Sequence, residues 1–247
     1  MDQNAQFSIQ QCPSSLNQTA RIKGILYAEA IGSILWPTVV SRLDTAFVVG
    51  VLLQFIQNPG PTHWDTVKRV ISYLGSTKDL WLTFGGTKHM HLEGYSDADW
   101  ALQPHQHLIS GFSFHYGMGA VSWSSKKQSI IVLLSTEAEY VAETHAAKEA
   151  LWLQTFVNEV TGIVTKPLTV MCDNQGAMSL VKDNKFHSCT KHIDLCYHFV
   201  HEAVKDGKIA LKYIPSSDNI ADIFTKPLAK TKFAELVPKL GLGVIKD

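Results

Sequence analysis

The sequence predicts a mixed α/β fold around one sheet, preceded by a small helical segment. Apolar residues recur at every third or fourth position from Ile25 to Leu74, the spacing of buried helix faces. Beyond Gly75 they alternate between glycine-containing turns, as half-buried strands do. From Thr136 onward the two patterns take turns, and the order βββ, α, β, α, α, β, α belongs to helices packed on a single sheet.

Residues 1–22 are rich in Gln, Asn and Ser and hold few large apolar groups, too few to offset the entropy of ordering them, so a disordered tail is expected. Three helices follow within a segment spanning 23–86. Ile25, Tyr27, Ala28, Ile31, Ile34 and Leu35 line the first, which Pro37 should limit by its missing N–H. Ala46, Phe47, Val49, Leu52, Leu53 and Ile56 line the second, stopped by Asn58-Pro59-Gly60-Pro61. Trp64, Val67, Val70, Ile71 and Leu74 line the third, which Thr62 and Asp65 would open as a capping box. Strands are expected over 80–84, 91–97, 111–116 and 120–125, the last two joined by a tight turn at Gly117-Met118-Gly119. A long helix over 136–160 carries a stripe of Ala138, Val141, Ala142, Ala146, Leu153, Phe156 and Val157. A strand at 167–172, helices at 175–181 and 190–204, a strand at 209–214 and a final helix from Ile220 complete the order.

Composition narrows the function classes. Lys plus Arg equals Asp plus Glu at 22 each, so any nucleic-acid surface must come from local segregation of charge. Cys12, Cys172, Cys189 and Cys196 form no Cys-x-x-Cys pair, and no signal-peptide pattern opens the chain, so an intracellular, reducing location is expected. The longest apolar stretch, 24–40, is broken by Glu29, Gly32, Ser33 and Pro37 and falls short of a membrane span.

Four carboxylates stand where the chemistry would be. Asp97 closes the first strand of the sheet, Asp173 closes the fourth, Glu139 lies in the first turn of the long helix, and Asp222 lies in the final helix. If the first and fourth strands are neighbours, the two aspartates meet at one sheet edge beneath Glu139. Like charges that close cannot all stay ionised unpaired, whereas two divalent ions about 3.5–4 Å apart would neutralise them. Each residue also has a local reading: Glu139 lies three positions after Thr136, as in a capping box, and Asp173 and Asp222 adjoin helix starts. Spacing alone leaves a metal nuclease and a structural coincidence both open.

The runs YSDADWA, ISGFSFHYGMGAVSWSSKKQ, LSTEAEYVAETHAAKEALWL, CDNQGAM, FHSCTKHIDLCYHFVHEAV and YIPSSDNIADIFTKPL resemble the ribonuclease H domain at the end of copia-type long-terminal-repeat retrotransposon polyproteins. Upstream, YAEAIGSILW, RLDTAFVVGVLLQFIQNPGPTHWDTVKRVISYL and LWLTFGG resemble the segment that follows the reverse-transcriptase palm in the same polyproteins. The resemblance implies a ribonuclease H-like mixed five-stranded sheet with flanking helices over 88–240, followed by a tail at 241–247. It implies that Asp97, Glu139, Asp173 and Asp222 are catalytic and ligate two Mg2+ ions, with Mn2+ able to substitute, and that the substrate is the RNA strand of an RNA–DNA hybrid. It implies as partner the reverse-transcriptase palm of the parent polyprotein, no membrane, and a place in cytoplasmic virus-like particles or the nucleus. Asp99 is the competitor closest to Asp97, which takes the place of the first-strand aspartate of the motif. No Tyr-x-Asp-Asp hairpin occurs in the chain, so the polymerase site is expected elsewhere. Where the family usually reads an Arg/Lys-Ser-Thr-Ser-Gly run, this chain has His107-Leu108-Ile109-Ser110-Gly111, and Pro215 to Asn219 holds no histidine to match the mobile one many such nucleases use.

Lys126, Lys127, Lys182, Lys185, Lys191 and His192, with His187 nearby, are the candidate nucleic-acid contacts, giving sequence-blind, salt-dependent affinity suited to reading duplex shape. Trp123 and Trp152 have apolar neighbours and read as core. Cys189, His192 and Cys196 fall at helical spacing and form an alternative zinc set without an evident fourth ligand.

Overall fold

The computed structural model describes residues 7–15, 24–85, 91–99, 108–128, 135–162, 167–176, 178 and 191–244. Its first elements are α1 (Tyr27–Val40), α2 (Ala46–Leu53), α3 (Pro61–Ser76), β1 (Trp81–Leu82), β2 (Leu92–Asp99), β3 (Ile109–Tyr116) and β4 (Gly119–Lys127). Then come α4 (Ser135–Thr161), β5 (Leu168–Cys172), α5 (Lys191–Lys205), β6 (Ile209–Tyr213), α6 (Lys230–Lys239) and β7 (Leu242–Gly243). Among the described residues, one compact unit takes the chain up to Thr83 and again from Pro227, and the other runs from Phe84 to Lys226.

In the first unit α1, α2 and α3 enclose Tyr27, Ile31, Ile34, Val49, Leu52, Val67 and Val70. Pro37 does not limit α1 but stands inside it. The buried face at Ile31, Ile34 and Thr38 continues past the proline, and the Thr38 hydroxyl donates to the Ile34 carbonyl at 2.8 Å, so packing outweighs the one missing backbone bond. The start of α3 also differs from expectation. Pro61 sits at its first position and the Gly60 N–H donates to His63 Nδ1 at 2.8 Å, so His63, rather than Thr62 and Asp65, satisfies the helix entry. His63 is fully buried and stacks on Phe55, with Phe7 at 5.6 Å between centroids. Residues 7–15, expected as part of a disordered tail, therefore have an anchor in Phe7, and Asn58 Nδ2 donates to the Pro13 carbonyl.

β1, expected as a strand at the end of the helical segment, pairs antiparallel with β7. Phe233 of α6 meets Tyr73 of α3 edge-on at 5.8 Å. The chain beyond Pro227 thus packs with the helical unit.

The second unit is built on a five-stranded mixed sheet in the order β4-β3-β2-β5-β6. β4, β3 and β2 run antiparallel, while β5 and β6 run parallel to β2, which matches the ribonuclease H-like sheet that the resemblance implies. The turn between β3 and β4 contains Gly117 at φ +70°, a conformation that needs glycine. Leu92, Phe114, Leu168, Val170 and Ile209 of the sheet bury against Tyr140, Ala146, Ala147, Ala150 and Leu153 of α4, with Val200 and Ala203 of α5. Alanines at the contact let α4 approach closely. Trp152 and Phe156 are not core as expected: they are 58% and 50% exposed and stack on each other along the outer face of α4, where an i, i+4 pair faces solvent. The final helix does not begin at Ile220 either. Residues Ile220–Phe224 form a 3-10 turn, and Pro227 separates it from α6. The helix expected over 175–181 lies largely outside the described residues.

Candidate metal centre

β2 is the central strand, and the β2–β5 register pairs Glu93 with Thr169, Gly94 with Val170 and Tyr95 with Met171. Carried two residues further, that register brings Asp173, just past the end of β5, level with Asp97. Glu139 reaches the same place from the first turns of α4. Ligand oxygens of Asp97, Glu139 and Asp173 lie within 4.8 Å of one another, the one such group of His, Cys, Asp or Glu found among the described residues.

Asp222 joins them from the 3-10 turn. Asn219 fixes that turn against the sheet: its Oδ1 accepts from the Ala221 N–H at 3.1 Å and its Nδ2 donates to the Ser96 carbonyl at 3.0 Å. The Ser125 hydroxyl donates to the Phe224 carbonyl at 2.6 Å. Gly111, opposite Asp97 in the β2–β3 register, leaves the space the turn occupies, since a Cβ there would stand 2.7 Å from both Phe224 Cβ and Thr225 Cγ2. Lys226, one helical turn after Asp222, places its Nζ 2.8 Å from Asp222 Oδ1 and 3.9 Å from Asp97 Oδ2. The Thr225 hydroxyl donates to Asp97, and the Ser216 hydroxyl donates to Asp173.

Asp97, Glu139 and Asp222 are all buried. Burial pushes all three carboxyls above the ordinary carboxylate range; neighbouring carboxylates push them further, and Lys226 opposes the rise. Glu143, one turn beyond Glu139 on α4, is 1% exposed with the Cys172 thiol beside it, and burial raises it to about 8. Asp99 is likewise raised by burial. All candidate donors are hard oxygens, and Glu139 Oε2 is buried without a hydrogen-bond partner. A divalent cation that prefers oxygen fits such a set.

Lys126 and Lys127 are exposed at the end of β4. Lys182, Lys185, His187 and Cys189 lie outside the described residues; Lys191 and His192 open α5, but their side chains also lie outside what is described. The sequence reading missed Lys226, Thr225, Ser216 and Glu143. Two of these carried a signal: Lys226 follows Asp222 at i+4, and Glu143 follows Glu139 at i+4 on the face of α4 that packs on the sheet.

Strand order, strand sense and the convergence of acidic side chains at the end of the central strand define a ribonuclease H-like domain. No protein-family model matches the chain. It is 39% identical over 223 residues to the retrovirus-related Pol polyprotein from transposon TNT 1-94 of Nicotiana tabacum, an alignment covering 90% of this chain and 17% of that protein. The chain belongs to the retrovirus-related Pol polyproteins of plant transposons, consistent with the copia-type resemblance, and spans less than a fifth of the length of the polyproteins it matches. It is also 47% identical over 133 residues to secreted RxLR effector protein 161 of Plasmopara viticola, covering 53% of this chain and 94% of that one. Among solved structures, LC11-RNase H1 in complex with an RNA/DNA hybrid aligns with a TM-score of 0.39 and 16% identity, over 52% of this chain and 88% of that one. No described helix is long and apolar enough to cross a membrane.

Proposed function

We propose that this chain is the ribonuclease H module of a retrotransposon polyprotein and hydrolyses the RNA strand of RNA–DNA hybrids. One observation carries the reading: Asp97, Glu139 and Asp173 converge from three separate elements of a ribonuclease H-like sheet, and a buried oxygen of Glu139 has no partner there. Asp97, Glu139 and Asp173 would hold one magnesium ion, and Asp97 with Asp222 a second. When bound, such a pair supplies an activated water and charge stabilisation for in-line displacement at a phosphodiester. The chain's own part is to fix the carboxylates. Asn219 and Ser125 pin the turn bearing Asp222, Thr225 orients Asp97, and Ser216 orients Asp173. Lys126 and Lys127, with Lys182, Lys185, Lys191 and His192, would grip the hybrid through its phosphates. The polymerase chemistry, and the palm as a partner, belong to other parts of the parent polyprotein, within virus-like particles or the nucleus.

Incubation of the chain with a labelled RNA–DNA hybrid and magnesium tests this. Cleavage of the RNA strand is expected, lost in Asp97→Asn while hybrid binding survives. A second reading, a remnant that binds nucleic acid or a partner without cleaving, is favoured by the likeness to a protein described as an effector. Binding without cleavage by the parent chain would select it.

A further inference from the structure

Lys226 sits where the proposed second cation would. Its Nζ bridges Asp222 Oδ1 at 2.8 Å and Asp97 Oδ2 at 3.9 Å, on the Asp97–Asp222 side of the cluster rather than among the three oxygens of Asp97, Glu139 and Asp173. Glu139 Oε2 is buried and has no hydrogen-bond partner, whereas Asp222 and Asp97 both meet the ammonium directly. The Lys226 side chain is 34% exposed, and its flexible four-carbon stem leaves an open route to solvent. Its backbone is held in place, with its N–H on the Asp222 carbonyl at 3.3 Å, so only the side chain has to move.

From this geometry we infer that Lys226 is a tethered cation that competes for the second metal position. Resting on the metal-nuclease reading, the inference assigns an order of filling. The site formed by Asp97, Glu139 and Asp173 takes a divalent ion with Lys226 still in place, and the Asp97–Asp222 position takes one only when the ammonium swings out. Lys226 is therefore a positioning residue: it holds two buried carboxylates in register before metal arrives, and it weakens the second binding event. An ammonium does this without satisfying the coordination number that magnesium demands, so the metal still displaces it at sufficient concentration.

Calorimetric titration of the full chain with Mn2+ in the absence of nucleic acid tests the order. Wild type is expected to show a tighter and a weaker class of site. Lys226→Met is expected to tighten the weaker class by about tenfold, the effect of removing one competing charge interaction worth about a pK unit, and to leave the tighter class unchanged. Lys226→Arg keeps the charge and is expected to retain two unequal classes. In wild type titrated with diamagnetic Mg2+, the NMR signal of the Lys226 ε-methylene should move only as the weaker class fills, a readout that does not depend on the folding of any variant. An unchanged or weakened second class in Lys226→Met, or an ε-methylene signal that moves with the first class, overturns the inference. Glu139→Gln separates the two levels. It should abolish the tighter class, and if neither wild type nor any variant binds Mn2+, the metal reading falls and the Lys226 assignment falls with it.

Discussion

Gly111→Ala tests whether the sheet positions the Asp222 turn. The new Cβ would lie 2.7 Å from Phe224 Cβ and from Thr225 Cγ2, and 3.3 Å from the Ala221 carbonyl oxygen. Ordinary carbon contacts lie at about 3.5–4.0 Å, so the turn must retreat by about 1 Å. Rotating a side chain cannot relieve this, because Phe224 Cβ is fixed to the backbone and Thr225 is stiff at χ1. Overpacking of this kind costs about 1–3 kcal/mol. The functional cost is larger in relative terms, since Asp222, Thr225 and Lys226 all ride on the displaced segment, and a misplacement of about 1 Å costs about 100-fold in rate. Thermal denaturation in EDTA should show a modest loss of stability. Hybrid cleavage should fall by about two orders of magnitude, and the weaker class of Mn2+ sites should weaken while the class at Asp97, Glu139 and Asp173 remains. Gly94→Ala is the matched control: its Cβ would strike the Phe114 ring at 2.3 Å, a group in the core against α4 and away from the turn. A Gly111→Ala protein with wild-type stability and cleavage would refute the reasoning. So would a Gly94→Ala protein of similar stability that loses cleavage to the same extent.

Two pH-dependent outcomes follow from buried groups. Glu143 has its folded value raised from 4.5 to about 8, so its contribution to stability is complete below about pH 4.5 and is lost as pH rises through 8. Glu143→Gln removes that dependence, and in metal-free buffer its melting temperature should gain on wild type between those pH values; the difference at pH 8.5 is on the order of 5 kcal/mol at most, and parallel curves for the two proteins would exclude the effect. His63 has its folded value lowered from 6.5 to about 4 by burial, so its contribution is complete above pH 6.5 and is lost as pH falls through 4. Circular dichroism melts across that window should show the helical unit losing roughly 2–3 kcal/mol more in wild type than in His63→Gln, and an equal acid sensitivity in the variant would count against a neutral buried imidazole.

Much of the sheet was legible because its strands carry local signatures. The alternation at 111–116 and 120–125 and the glycine turn between them gave β3 and β4, and the aspartates closing the first and fourth strands met once those strands proved to be parallel neighbours. Three features escaped because tertiary contacts decide them. Pro37 reads as a stop locally, yet the buried Ile31–Thr38 face carries α1 through it. Trp152 and Phe156 satisfy a helical apolar stripe, but a long helix against one sheet buries only one side, and alanines took that side. The 3-10 turn at Ile220–Phe224 looked like a helix start because Asn219 caps it as an N-cap would. Its true length is set by Pro227 and by the space over Gly111, neither of which is a periodicity.

The metal centre is a conflict that the fold tolerates locally. Three of its carboxylates are nearly inaccessible to water, and burial together with neighbouring carboxylates raises all three, so without a cation the cluster favours proton uptake or a counter-charge. The chain supplies a partial answer in Thr225, Ser216 and Lys226, which meet Asp97, Asp173 and Asp222. It supplies none to the buried Glu139 Oε2. Leaving a buried oxygen unmet costs about 1–3 kcal/mol. The convergence of hard oxygen donors from separate elements, with a buried oxygen left unmet among them, is compatible with a divalent cation.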